Sequence, residues 1–234
     1  MFAAAFAILV VGSAVQGVAG FGANLLASPL LVLLDPALVP GPLIVAAVPL
    51  VILTALANRG EHPWRKLRWA NVGQVMGAAL GAWVLASLPT DGITIFFAVV
   101  ILGAVALSAS GVTVRRTPRT MAAAGALSAF TGTSVGIGGP PIALVHAGEP
   151  GEALRAALSR FFITGVALSL VALTIVGRFR PADAAAGLLL VPGTLVGFAI
   201  SRRLVGRLDR HHLRVLILVL SGASAVAALL RALL

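Results

Sequence analysis

Two glycine clusters are the residues in this chain best suited to chemistry. One reads Gly20-Phe21-Gly22-Ala23-Asn24 and the other Gly136-Ile137-Gly138-Gly139-Pro140, with Pro141 next. Glycine lets the backbone take conformations closed to other residues and lets a ligand approach closely. Proline suits the first turn of a helix, where its missing N–H costs nothing. Each cluster therefore reads as a helix break, and the second as a break followed by a helix N-terminus. A helix N-terminus offers unpaired amides and a partial positive charge, which suits an anion. Asn24 and Ser28 add side-chain donors near the first break, as do Thr131, Thr133 and Ser134 near the second. The candidate binding set is Gly20, Phe21, Gly22, Ala23, Asn24, Ser28, Thr131, Thr133, Ser134, Gly136, Ile137, Gly138, Gly139 and Pro140. The competing reading is that the glycines serve close helix packing.

Other chemistry finds little support. There is no HExxH, no GxSxG and no buried Asp pair, and Ser134 with His146 does not make a hydrolase, so no catalytic residue is assigned. Cysteine is absent, which removes disulfides, thiol nucleophiles and cysteine metal sites. No metal site, cofactor or Gly-x-x-x-x-Gly-Lys phosphate loop is read. His146 and Glu149 are candidates for proton coupling, because an ionisable group at membrane depth is functional by default and histidine titrates near neutrality. Their alternative place is an interfacial loop with Glu152 and Arg155.

The elements that must position these residues are apolar. Hydrophobic residues make up 59% of 234 positions, charged residues only 10%, and mean hydropathy is +1.07. Too little polar sequence is present to cover a soluble core. The fold class is all-α integral membrane. A net charge of +10 does not indicate nucleic acid, since the arginines fall between apolar runs. Eight charge-free windows result: 1–34, 36–58, 69–90, 92–114, 120–148, 161–177, 184–201 and 215–230. A spanning helix takes about 20 residues, so the first and fifth windows are too long for one span. They hold the two glycine clusters. No Lys or Arg precedes Arg59, so the apolar run from Phe2 reads as part of the fold and not as a leader. Gly73, Gly77 and Gly81 are expected to pack against a helix, and Pro49 and Pro192 to kink two spans.

An internal repeat organises these windows. An offset of 116 places Gly20 on Gly136, Gly22 on Gly138, Gly77 on Gly193 and Gly81 on Gly197. The halves are 1–114 and 119–234, one membrane domain overall, each with an interrupted segment and three transmembrane helices. The interrupted segment is either a broken helix that crosses once or a re-entrant hairpin. If all eight segments cross, the 17 Lys and Arg divide 10 to 7 between the two sides; if the first and fifth re-enter, they divide 14 to 3. The positive-inside rule prefers the second division. It makes the halves inverted, with six full spans and both termini outside.

The sequence resembles the sulfite exporter TauE/SafE-like family of membrane anion transporters. The carriers are Gly17-Val18-Ala19-Gly20-Phe21-Gly22 with Pro29 downstream, Gly136-Ile137-Gly138-Gly139-Pro140-Pro141, and Leu154-Arg155-Ala156 leading into Ser159-Arg160-Phe161-Phe162. The first cluster departs from the family's glycine-rich run at Ala23-Asn24. The resemblance implies a secondary transporter, an exporter of small anions such as sulfite, organosulfonates, or related oxyanions or carboxylates. The substrate would bind at the midplane between the glycine breaks. It also implies no ATP-driven step, so energy would come from an ion or substrate gradient, with proton or sodium the candidate coupling ions; no enzymatic activity is expected, since no catalytic set is found. The expected partners are a small anion and the lipid bilayer, and the expected location is a bacterial inner membrane. A channel-like anion facilitator and a non-transport assembly subunit are the alternatives.

Overall fold

The computed structural model describes residues 1–19, 22–57, 64–112, 114–149, 151–204 and 210–233. Among them every regular element is helical: α1 (Phe2–Ala19), α2 (Ala23–Leu34), α3 (Gly41–Ala57), α4 (Arg68–Ser87), α5 (Thr90–Ala109), α6 (Pro118–Val135), α7 (Gly139–Val145), α8 (Gly151–Ile175), α9 (Pro181–Leu204) and α10 (Arg210–Leu233). α6 starts and ends 116 residues after α1 (2 to 118, 19 to 135), and α7 starts 116 after α2 (23 to 139).

Among the described residues, four helices are long and apolar enough to cross a membrane, over Gly92–Ala109, Ala153–Ile175, Pro181–Leu204 and Val215–Leu233. The sequence suggested six. The window 36–58 loses its first residues to a short 3₁₀ turn at Pro36–Leu38, where the side chain of Asp35 accepts from the amide of Ala37. That leaves α3 with 17 residues. α4 has 20 residues but begins with Arg68 and carries Asn71 and Gln74, which lower its hydropathy. It nevertheless exposes a belt of Trp69, Val72, Val75, Met76, Leu80 and Trp83, a surface suited to hydrocarbon and costly in water. Pro49 and Pro192 do lie inside helices, α3 and α9.

Both glycine-bearing segments fold back on themselves. A Cβ on Gly12 in α1 would lie 2.9 Å from the carbonyl oxygen of Ala23. A helix that continued past the break would hold residues 11 apart at about 16 Å, so α2 must return alongside α1. In the second half, the amide of Ile142 donates to Ser128 Oγ at 2.9 Å, which seats α7 against the middle of α6. The limbs are unequal: α6 has 18 residues and α7 only 7.

Small residues set the main contacts, in which α4 packs most extensively on α6, and α1 on α9. A Cβ on Gly73 would overlap the carbonyl oxygen of Ala122, one on Gly77 that of Ala126, and one on Gly197 that of Val10. Position 126 is 116 residues beyond 10, the same offset that separates the start of α6 from that of α1. Both pairs run parallel, since ascending positions on one helix meet ascending positions on the other.

The helix ends sort onto two faces. The start of α4 lies beside the start of α6, because a Cβ on Gly125 would overlap the carbonyl oxygen of Ala70. The guanidinium of Arg116 contacts the carboxylate of Glu149, bringing the turn after α7 to this same face. At the other face, Arg178 donates to the carbonyls of Ala86 (3.3 Å) and Leu88 (3.2 Å). Arg231 there donates to Leu33 O at 3.0 Å, and the space beside Gly41 is filled by Phe179 and Asp183.

Candidate functional site

The breaks owe their shape to glycine at two positions. Gly22 has φ 108° and Gly136 has φ 78°, a region that L side chains enter at a cost of about 1–2 kcal/mol. Gly22 directly precedes α2, and Gly136 ends α6, its amide bonding the carbonyls of Gly132 and Thr131. Gly138 precedes α7 with an ordinary φ of −95°, so these left-handed glycines do not occupy equivalent positions at the 116 offset.

The two breaks are tied directly together. Asn24 Nδ2 donates to Gly136 O at 2.8 Å, and Ser28 Oγ donates to Val135 O at 2.6 Å. Two carbonyls at the end of α6, which would otherwise lack partners, are thus capped by α2 of the first half. Thr131 Oγ1 donates to Ile137 O at 2.6 Å and closes the second break.

Beside this junction lies a cavity of about 80 Å³. A single water needs only about 10–15 Å³ measured this way, so the space suits a small solute. Residues 44–51 of α3 and 161–169 of α8 line it, halfway along both helices. Of the residues expected from the sequence, Gly22, Asn24, Gly136, Ile137, Gly138, Gly139 and Pro140 line this cavity. Ala23, Ser28, Thr131, Thr133 and Ser134 stand behind it. Their bonds explain why: Ser28 and Thr131 hold the break, Thr133 Oγ1 lies 2.7 Å from Ser169 Oγ, and Ser134 bonds back to Phe130 O. Gly20 and Phe21 lie outside the described residues.

The lining also holds residues that the sequence reading missed: Gln16, Gln74, Ser128, Phe161, Phe162 and Ser169. Gln74 is wholly buried. Its Nε2 donates to Phe161 O at 2.9 Å, and its Oε1 accepts from Thr164 Oγ1 at 2.7 Å. A signal was available, for these are the chain's two glutamines and both fall in apolar windows. A buried amide is expensive unless it is bonded.

Among the described residues, no side chain lining the cavity is charged. Its polarity comes from amides, hydroxyls and backbone. The first turn of α2 lies at the cavity, with Gly22, Asn24 and Leu25 in its lining and no side-chain cap on Gly22, and the first amides of a helix have no acceptor within it. The N-terminus of α7 is poorer. Pro140 and Pro141 have no N–H, and the amide of Ile142 is already taken by Ser128.

His146 and Glu149 lie elsewhere, in the turn beyond α7. His146 is fully buried, with Nδ1 3.2 Å from Glu149 Oε2. Burial chiefly, and then the Arg116 charge, hold the imidazole below its ordinary pKa against the pull of Glu149. Burial pushes Glu149 up, but His146 and Arg116 outweigh it and leave this carboxyl below its usual range. The side chain of Glu152 lies outside the described residues.

No curated protein and no solved structure matches this sequence. The family model for the sulfite exporter TauE/SafE matches residues 4–228. That span takes in both glycine breaks, both hairpins and every helix that lines the cavity, and the chain belongs to the sulfite exporter TauE/SafE family of membrane transporters.

Proposed function

We propose that this chain is a secondary transporter that exports a small anion, such as sulfite, an organosulfonate or a related oxyanion or carboxylate. The observation that carries the reading is the cavity itself. Both breaks line it, with an uncapped helix N-terminus and two glutamine amides but no charged side chain. Neutral donors can hold an anion without the grip of a lysine or arginine, which favours release after translocation. The apolar wall of Leu25, Ile44, Val51, Phe161 and Phe162 tolerates a short carbon chain on the anion.

The organisation that goes with it is two inverted repeats, 1–114 and 119–234, with re-entrant hairpins that meet at the site and both termini outside. The 116-residue correspondence of helix ends, the mirrored packing of α4 on α6 and α1 on α9, and the charge division of 14 to 3 support this. A bacterial inner membrane fits the positive-inside bias. Proton or sodium gradients are the candidate driving forces.

Flux in proteoliposomes tests the proposal. Sulfite, sulfate, thiosulfate, sulfoacetate and simple carboxylates are offered with and without proton or sodium gradients. Saturable, gradient-driven flux of at least one anion is expected, reduced about tenfold or more in Gln16→Leu, which removes one polar wall of the cavity (~1.4 kcal/mol). Flux that never saturates, or that ignores every gradient, would indicate a facilitator instead.

A further inference from the structure

A second pocket, of about 390 Å³, opens on the face where α4 and α6 begin. Arg65 and Lys66 approach it from the 3₁₀ turn before α4, Arg68 from the first position of α4, and Arg116 from the linker before α6. Trp69, Thr117, Pro118 and Met121 complete the lining, and none of these residues is a carboxylate. One of the four cations, Arg116, is shared with Glu149. The guanidinium of Arg68 lies 5.3 Å from the centre of the Trp69 ring, so a cation and an aromatic present one surface.

The pocket continues into the hydrocarbon-facing belt. Val72 and Met76 stand one and two turns below Trp69 on α4, both more than half exposed, and positions three and seven apart share one helix face. A ligand resting here would meet positive charge at one end, an indole at the boundary and an apolar stripe beyond. Tryptophan prefers the level of lipid headgroups, and basic pockets on membrane proteins recognise anionic ones. We propose that this pocket binds the phosphate headgroup of an anionic phospholipid, whose acyl chains lie along the Trp69–Val72–Met76 stripe. A soluble anion would use the cations but not the stripe.

Native mass spectrometry of the purified full chain, titrated with phosphatidylglycerol, phosphatidylcholine or inorganic phosphate, tests the assignment. Each cation near the headgroup is worth about fivefold in affinity. The Arg65→Gln/Lys66→Gln/Arg68→Gln variant should therefore bind phosphatidylglycerol on the order of a hundredfold more weakly, and phosphatidylcholine should not compete. Arg202→Gln/Arg203→Gln removes exposed charge at the end of α9 and should leave the phosphatidylglycerol adduct intact. An equal loss in that control would reduce the effect to general surface charge and overturn the site. Inorganic phosphate displacing the lipid at similar concentration would overturn the lipid assignment. If the triple variant does not fold, Lys66→Gln alone should still weaken binding about fivefold, and unchanged affinity there would reject the proposal.

Discussion

His146 is the residue whose chemistry is most sharply set by its surroundings. Its imidazole is fully buried beside Glu149 and near Arg116, and its folded pKa lies below the 6.5 of a free histidine. Below about pH 6.5 the unfolded chain therefore takes up a proton that the folded chain resists. Stability falls as pH drops from 6.5 towards the folded value, by at most about 1.4 kcal/mol per pH unit for one proton. Glu149 adds a second loss in more acid solution, since its folded pKa lies below 4.5. Thermal unfolding of wild type and His146→Gln across pH 7 to 5 measures this. Wild type should lose stability through that window and the variant should lose distinctly less; parallel curves would refute the assignment. The residue scale also shows where a sequence is readable. Gly22 and Gly136 stood out because glycine is the residue that takes a positive φ at least cost. Gln16 and Gln74 are visible as amides in apolar runs, but such an amide gains its role only from its partners. For Gln74 those partners, Phe161 and Thr164, sit almost ninety positions away.

At the scale of elements, the helix ridges divide glycines that pack from glycines that merely occur. A Cβ on Gly77 would overlap the backbone of Ala126, whereas one on Gly103 in α5 meets nothing within 4 Å. A backbone oxygen cannot swing aside as a side chain can, so Gly77→Val should force α4 and α6 apart. The cost should reach the upper end of the about 1–3 kcal/mol typical of overpacking, or exceed it. Gly103→Ala should be neutral or gain up to about 1 kcal/mol from helix propensity. Thermal stability of the two purified variants checks the pair, and similar losses in both would deny that the ridge is a packing surface. This ridge was legible because its spacing of four is visible in the chain. The unequal hairpin limbs were not. α7 stops after seven residues as its chain turns at His146, with Ile142 bonded to Ser128 and clustered with Val145, Met121 and Leu158, and the nearest charge that could mark the end is Glu149.

For the molecule as a whole, the question is which ends share a side of the membrane. With the first and fifth segments re-entrant the Lys and Arg divide 14 to 3, a count legible in the sequence because arginine at a helix end carries topology in its own position. The same count could not identify Arg116 as the partner of Glu149, although that one contact separates a hairpin from a crossing. The absence of cysteine makes the topology measurable against a clean background. Single cysteines at Lys66, Gly148, Arg180 and Arg203, all exposed, can be probed in intact cells with a membrane-impermeant maleimide and again after permeabilisation. If α6 and α7 form a re-entrant pair, Gly148→Cys should behave like Lys66→Cys and Arg203→Cys, labelling only after permeabilisation, while Arg180→Cys labels from outside. If that segment instead crosses once, Gly148→Cys must label with the opposite sidedness to Lys66→Cys. Such a result would undo the inverted arrangement and, with it, the placing of both glycine breaks around a single cavity.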